Sequence, residues 1–333
     1  MFAPVYVKTV DTHAEGMPLR VVVEGLPPIP GNSMAERLAW ARGNLEWVRD
    51  LLVSEPRGHG PMMYAILTPP ARADADFGVI YMSGGGFWPM CGHGTIGLVT
   101  MLVERGLVEA RAPFTEVRLD TAAGLIVTKV RVEGRKALDV TFTNVPTYIL
   151  ARDARVQVQG FGDITVDLAY GGNVYAMVDV AQLGMRIEPE NLNRFIDLGL
   201  QIVAATREQV PFQSPAGVDL GALRSSLFTE APVGPRPARN LMVKEPRYFD
   251  RSPCGTGTSV RMALAHARGE LGLDEPLVCE SLIRSRFEGR LIGVATVDGI
   301  PAVIPQITGR AWIVGTSEFM LDSSDIFPRG FQL

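Results

Sequence analysis

The sequence has few cysteines, little net charge and no long apolar run, and each of these shortages argues against a class of protein. Its 333 residues contain only three cysteines, too few for a disulfide framework in a chain of this length. The net charge of −4 and the lack of a long basic run argue against a nucleic-acid-binding surface. No apolar stretch reaches the length needed to span a membrane, so no membrane partner is predicted.

The first residues also lack the features of a secretory signal. Residues 1–5 contain neither a positively charged segment nor the start of an apolar core. We therefore expect a cytoplasmic protein whose thiols stay reduced. A composition of 47% hydrophobic and 20% charged residues is typical of soluble globular proteins, and 333 residues suit two domains.

What the chain does contain is a repeated cysteine motif. Cys91 opens the sequence C-G-H-G-T and Cys254 opens C-G-T-G-T. Each motif runs on without proline to an Arg-Gly pair, and the spacing from cysteine to that glycine is the same in both copies. The repeat predicts two equivalent helices that each begin at a cysteine.

Strand and helix patterns surround the two motifs in a similar order. Ser33 and Glu36 form a capping box that predicts a helix to about residue 52, disturbed near residues 43–44, and a second long helix is expected over 190–208. Alternating or β-branched residues predict the strands. These cover residues 5–10, 19–24, 64–68, 77–82, 117–119, 125–132, 138–142, 164–168, 174–180, 241–244, 290–297, 302–307, 310–315 and 317–321.

A cysteine at the start of a helix is suited to act as a base. The first turn carries unpaired N–H groups and a positive dipole end, which together lower the pKa of a thiol. Glycines let the backbone approach a ligand, and the same N–H groups bind carboxylates. Of two such thiols, Cys91 and Cys254, one would remove a proton from one face of a carbon and the other would return a proton to the opposite face. The two thiols would titrate as a coupled pair, and the reaction needs no redox cofactor.

Several nearby residues have two interpretations. Asp250, four residues before Cys254, could bind a substrate ammonium or serve only as a turn residue. His93 could donate to a carboxylate, tune Cys91, or merely stabilise the loop. Cys279 lacks a glycine-rich context and is predicted to be a packing residue. Residue 266 is expected on a helix surface. His13 and His59 could support residues that contact the substrate, but structural hydrogen bonding is favoured for both.

Competing motifs carry little weight. Glycines at 92, 94 and 97 match the G-x-G-x-x-G pattern of dinucleotide-binding proteins. However, no predicted strand ends directly before them, and the second motif has Val260 at the position of the third glycine. The sequence has no C-x-x-C or H-x-x-x-H spacing, so no metal site is predicted. It also lacks the G-x-S-x-G elbow of a serine hydrolase.

At the two motifs, residues 90–97 and 250–258, the chain resembles the proline racemase family, with supporting matches at 11–13, 55–59 and 170–173. The resemblance spans essentially the whole chain. It implies a diaminopimelate-epimerase-like α/β fold of two pseudo-symmetric domains, each with a β-sheet wrapped around a central helix. The first domain would comprise residues 1–133 plus about 314–333 and the second 134–313. An active site in the cleft between them, no cofactor and a homodimer are also implied.

The resemblance further implies a racemase or epimerase of a proline-type imino acid. Both cysteines are present, which favours this activity over trans-3-hydroxyproline dehydratase, where one of them is replaced. Proline racemases look to have aromatic residues at the positions of Met63 and Lys244, and hydroxyproline epimerases a small polar residue at the Met63 position. Lys244 could hydrogen-bond a ring hydroxyl or extend to solvent.

We therefore favour hydroxyproline as the substrate, with Cys91 and Cys254 as the catalytic pair. Proline racemase, the dehydratase and a binding protein without turnover are the alternatives. The residues predicted to contact the substrate are Gly92, His93, Gly94, Asp250, Gly255, Thr256, Met63 and Lys244.

Overall fold

The computed structural model describes residues 5–215, 220–322 and 324–331. The chain forms two compact units, Met1–Thr141 with Arg310–Leu333, and Phe142–Gly309. The helices are α1 (Met34–Asn44), α2 (Glu46–Val53), α3 (Gly92–Glu104), α4 (Leu192–Gln209) and α5 (Gly255–Ala267). Short 3₁₀ turns span Val180–Leu183 and Pro189–Asn191.

Strands make up most of the regular structure. They are β1 (Val5–Ala14), β2 (Met17–Glu24), β3 (Met63–Thr68), β4 (Phe77–Ser83), β5 (Gly86–Trp88), β6 (Phe114–Thr121), β7 (Gly124–Glu133), β8 (Lys136–Thr143), β9 (Thr147–Val158), β10 (Gly162–Tyr170), β11 (Val174–Asp179), β12 (Ser225–Glu230), β13 (Ala238–Lys244), β14 (Tyr248–Phe249), β15 (Leu277–Glu280), β16 (Arg286–Val297), β17 (Ile300–Gly309) and β18 (Ala311–Leu321).

The first unit pairs its strands in one continuous order. β1 is antiparallel to β18 and to β2, and β2 runs parallel to β3. β4 is antiparallel to β3 and β5 but parallel to β6, which forms a hairpin with β7. The parallel step from β4 to β6 requires a crossover, and α3 supplies it.

The second unit repeats that order of pairings. β10 and β11 form a hairpin, β11 runs parallel to β12, and β12 is antiparallel to β13. β13 is antiparallel to β14 and parallel to β15, with α5 as the crossover, and β15 leads through β16 to β17. β17 then pairs with β9, which also pairs with β10, so these strands form a closed ring.

Each motif helix lies inside the sheet of its own unit. Residues 92–103 of α3 are all buried, and the helix packs against β1, β2, β3, β7 and β18. α5 packs against β9, β10, β11, β13, β16 and β17. The fit depends on small residues, because a Cβ at Gly97 would lie 2.6 Å from the Thr12 hydroxyl oxygen. The third glycine of the dinucleotide-like pattern is thus a packing residue.

Local sequence explains where α1 begins and where it ends. The Ser33 side chain accepts a hydrogen bond from the Glu36 N–H at the start of α1, as the capping box predicted. The Glu36 carboxylate reaches back to the N–H of Asn32, one residue before the cap. The predicted disturbance near residues 43–44 is a break at Leu45, where α1 ends and α2 begins.

Most predicted strands are present, with β18 as one strand where two were expected, and the second long helix is α4. Five strands, β5, β9, β12, β14 and β15, were not predicted from the sequence. In the described residues no helix has the length and hydropathy needed to cross a membrane.

Candidate active site

The first motif places a buried thiol at the start of α3. Cys91 is the N-cap residue, has extended backbone angles and is 6% exposed. Its Sγ atom lies 3.6 Å from Nδ1 and 3.7 Å from Nε2 of His93, which is also buried. The imidazole is therefore within reach to donate to this sulfur, so the geometry fits the interpretation that His93 tunes Cys91.

The loop around Cys91 is held by buried hydroxyls. Thr95 donates from Oγ1 to the Cys91 carbonyl at 2.9 Å, and the Tyr81 hydroxyl is 2.8 Å from that Oγ1. Because Thr95 uses its proton on the carbonyl, Tyr81 is the donor in the second bond. Burial, and then the nearby Cys91, raise the pKa of Tyr81, so its hydroxyl stays protonated.

The second motif places another buried thiol at the start of α5, in a different setting. Cys254 is 3% exposed and its Sγ accepts the Gly257 N–H at 3.3 Å. The same sulfur lies 3.5 Å from the Tyr175 hydroxyl and 3.8 Å from Thr256 Oγ1. One N–H and two hydroxyls, from β11 and the first turn of α5, therefore surround one sulfur.

Cys254 also has a left-handed backbone, with φ of 63°, which is rare for a non-glycine residue. Side chains form hydrogen bonds with both polar groups of the peptide that joins Pro253 to Cys254. Asn240 Nδ2 donates to the Pro253 carbonyl at 3.0 Å, and the Cys254 N–H donates to Ser252 Oγ at 3.2 Å. The surrounding structure thus fixes a strained residue, as is common at functional sites.

Asp250 anchors the loop that leads to Cys254. Its Oδ1 accepts from both the N–H and the hydroxyl of Ser252 at 2.8 Å, and the residue is 2% exposed. The turn role suggested by the sequence is therefore present. Binding of a substrate ammonium by the same carboxylate stays a prediction.

The pKa of Cys254 contradicts the simple expectation for a thiol at a helix start. Burial, followed by the charge of Asp250, raises its pKa to about 12, although Tyr175, Gly257 and Thr256 act in the opposite direction. Desolvation outweighs the dipole and the donors. In the free chain at neutral pH, Cys254 is therefore a thiol that can donate a proton.

The third residue of each motif helix is a glycine because the sulfur lies against it. A Cβ at Gly94 would lie 2.9 Å from Cys91 Sγ, and a Cβ at Gly257 would lie 3.0 Å from Cys254 Sγ. The equal spacing in the sequence thus corresponds to the same close approach in both units.

The remaining predicted substrate contacts are buried residues of the two units. Gly92, Gly255 and Thr256 lie in the first turns of α3 and α5. Met63 begins β3 and Lys244 ends β13, and each is 3% exposed. The possibility that Lys244 extends into solvent is therefore wrong.

Other candidate residues have structural roles. Cys279 is fully buried, as predicted for a packing residue. His13 accepts from the Gly16 N–H and stacks on Trp312, with ring centroids 5.0 Å apart. His266 was expected on a helix surface, but it is half-buried and its Nδ1 lies 2.9 Å from the Leu271 carbonyl oxygen. This contact joins the last turn of α5 to the segment that follows the helix.

No group of three or more His, Cys, Asp or Glu side chains in the described part of the chain could hold a metal ion. Three residues near the cysteines, Tyr175, Tyr81 and Asn240, were not predicted from the sequence. Each of them reaches its motif through strand pairing, and no local spacing signals such a contact.

Comparison with known proteins assigns the family. The sequence profile described as proline racemase matches residues 9–332. The chain belongs to the proline racemase family. A 4-hydroxyproline 2-epimerase from Streptosporangium roseum is 49% identical over 97% of each chain, and a proline racemase from Clostridioides difficile is 37% identical over 98% of each.

A solved structure gives the same result for the fold. A hydroxyproline epimerase from Agrobacterium vitis, with bound trans-4-OH-L-proline, superposes with a TM-score of 0.94 at 34% identity, covering 99% of this chain and 95% of that one. The predicted family, the fold class and the assignment to the racemase and epimerase class of isomerases are confirmed.

Proposed function

We propose that the protein inverts the α-carbon of hydroxyproline, as a 4-hydroxyproline 2-epimerase that uses two cysteines and no cofactor. The observation that carries the proposal is the repeat itself: each unit holds a buried thiol at the start of its central helix, next to proton donors. The relative with 49% identity bears the same activity in its name.

The reaction requires one of the two cysteines to be a thiolate and the other to be a thiol. One cysteine, as thiolate, removes the α-proton, and the electron pair delocalises onto the carboxylate. Backbone N–H groups at the helix starts stabilise that charge. The other cysteine, as thiol, returns a proton to the opposite face. Cys254 is protonated in the free chain, so a turnover from this state uses it as the acid and Cys91 as the base.

The remaining roles are assigned by chemistry. The first-turn residues Gly92, His93, Gly94, Gly255 and Thr256 would bind the carboxylate. Asp250 would pair with the ring ammonium. Met63 and Lys244 would contact the ring, and the lysine ammonium would donate to a ring hydroxyl, a group that proline lacks.

Proton NMR in D₂O under reducing conditions tests the proposal. The protein is incubated separately with trans-4-hydroxy-L-proline, cis-4-hydroxy-D-proline, L-proline and trans-3-hydroxy-L-proline. We expect loss of the α-proton signal and a new diastereomer with both 4-hydroxyproline epimers, and slower or no exchange with the other two. Exchange confined to proline would replace the proposal with proline racemase activity.

A parallel assay separates epimerisation from dehydration. Loss of water from trans-3-hydroxyproline gives a cyclic imine, which a nicotinamide-dependent reductase detects. We expect no imine. No exchange with any of the four compounds and no imine, with the thiols shown to be free, would contradict the proposed function.

Substitution of Gly257 by alanine is expected to lower the rate of α-proton exchange about 10- to 100-fold. The added methyl would displace the Cys254 sulfur by part of an ångström, and misplacement on that scale has effects of this size. Gly43→Ala is the matched control, because a Cβ there meets nothing within 4 Å. Wild-type rates in Gly257→Ala would contradict the role of this close contact.

The dimer implied by the family resemblance and the cytoplasmic location expected from the sequence stay predictions. Light scattering of the purified protein tests the dimer, and cell fractionation tests the location.

A further inference from the structure

We propose that the Tyr175 hydroxyl is the hydrogen-bond donor that stabilises the negative charge of the Cys254 thiolate and so enables this sulfur to act as a base. The inference rests on the proposed role of Cys254 and adds a residue that its motif does not contain. Tyr175 lies on β11, 79 residues before the cysteine.

The sulfur has few other means of stabilising charge. Its polar neighbours are Tyr175, Thr256, the Gly257 N–H and the carboxylate of Asp250. The carboxylate disfavours a thiolate. The hydrophobic core around Cys254 and Tyr175 includes Ala169, Met177, Leu227, Met242, Val260 and Leu264. A thiolate in this setting depends on its hydrogen-bond donors.

The two hydroxyls suit a sulfur that must be both acid and base. Tyr175 and Thr256 are 2.6 Å apart, and either can be the donor. When Cys254 is a thiolate, Thr256 can donate to the Tyr175 oxygen while Tyr175 donates to the sulfur. When Cys254 is a thiol, it can donate to the Tyr175 oxygen, and Tyr175 then donates to Thr256. Rotation of two O–H bonds therefore satisfies both states.

Tyr175 acts as a donor and not as the base. Burial, and then the charge of Cys254, raise the pKa of Tyr175 well above its ordinary value. The phenol therefore keeps its proton when the sulfur loses one.

The first unit offers a matched comparison. Tyr81 is a buried tyrosine whose hydroxyl bonds Thr95, and Thr95 in turn donates to the carbonyl of Cys91. Its hydroxyl supports the loop that holds Cys91. Tyr81→Phe thus removes a buried hydroxyl of the same kind without touching Cys254.

Alkylation by iodoacetamide as a function of pH tests the proposal. Mass spectrometry of the Cys91 and Cys254 peptides reports each thiolate separately in the wild-type protein and in Tyr175→Phe. We expect the pH profile of Cys254 alkylation to move to higher pH in the variant, so that at pH 8 the rate falls about tenfold. The Cys91 rate should stay within about twofold. Phenylalanine is smaller than tyrosine, so slower alkylation would not come from hindered access of the reagent.

Substitutions of Thr256 and Tyr81 complete the test. Thr256→Val should lower the Cys254 rate in the same direction, Thr256→Ser should restore it, and Tyr81→Phe should leave it unchanged. A Tyr175→Phe profile that coincides with wild type, or a fall shared equally by Cys91, would overturn the proposal.

Turnover is measured separately. In Tyr175→Phe we expect kcat/KM to fall by the same factor for both epimers. The ratio of the two kcat/KM values equals the equilibrium constant of the reaction, which no substitution in the enzyme changes. The alkylation result does not depend on the substrate. If the wild-type protein exchanges no α-proton, the proposed function is contradicted. The alkylation experiment would still decide whether Tyr175 is a donor to Cys254.

Discussion

Substitution of Cys91 or Cys254 by serine should reduce epimerisation by about 10²- to 10⁴-fold, the range in which a positioned acid or base contributes. A serine hydroxyl is far less acidic than a thiol, so it neither forms the base nor returns the proton at neutral pH. Since the two cysteines act as a unit, the double variant should be hardly slower than either single variant. Proton NMR in D₂O measures inversion and α-proton exchange in one experiment.

Cys279→Ala is the control for this prediction. Cys279 is fully buried on β15, outside the motifs, so its substitution should affect stability more than rate. We expect turnover close to wild type in this variant. Inversion at a tenth of the wild-type rate or more in either serine variant would contradict the two-base scheme, because one remaining thiol cannot serve both faces of the carbon.

Substitution of Arg239 by alanine should lower the free energy of unfolding by about 3–5 kcal/mol. The Arg239 side chain is 2% exposed and contacts Glu188 at 2.9 Å and Glu280 at 3.1 Å. It also donates to the Ile187 carbonyl at 2.7 Å. Removal of the guanidinium leaves the buried Glu280 carboxylate without its most deeply buried cationic partner. Chemical denaturation followed by circular dichroism measures the change.

Arg284→Ala is the matched control, because Arg284 binds the same two carboxylates from the surface. It contacts Glu280 at 3.0 Å and Glu188 at 2.8 Å, with 48% of its side chain exposed. Water screens such pairs, so the loss should stay below about 1 kcal/mol. Equal losses in Arg239→Ala and Arg284→Ala would show that burial does not set the strength of this cluster.

The elements that were predicted well have local signals. The start of α1 follows from a serine and a glutamate three residues apart. The serine caps the helix as this spacing implies, and the glutamate accepts from the N–H of Asn32, one residue before the cap. β9 gave no such signal. Asp153 interrupts it with a positive φ, and its pairing with β10 shifts register twice. A strand with these irregularities loses the two-residue alternation by which strands are predicted.

The site was predicted in part for the same reason. The helix starts and their cysteines follow from a repeated pattern within each motif. The environment of Cys254 does not, because Tyr175 reaches it through the pairing of distant strands. The helix dipole alone therefore predicts the wrong direction for the pKa of Cys254, which burial raises.

The ring of strands around α5 bears on the order in which the second unit folds. The pairing of β17 with β9 closes the ring, through Ala302 with Tyr148 and Val303 with Thr147. These segments are far apart in the chain, so their pairing has a large entropy cost. A helix packed on all sides could not enter after closure. We therefore expect α5, with Cys254 at its start, to be in place before these two strands meet.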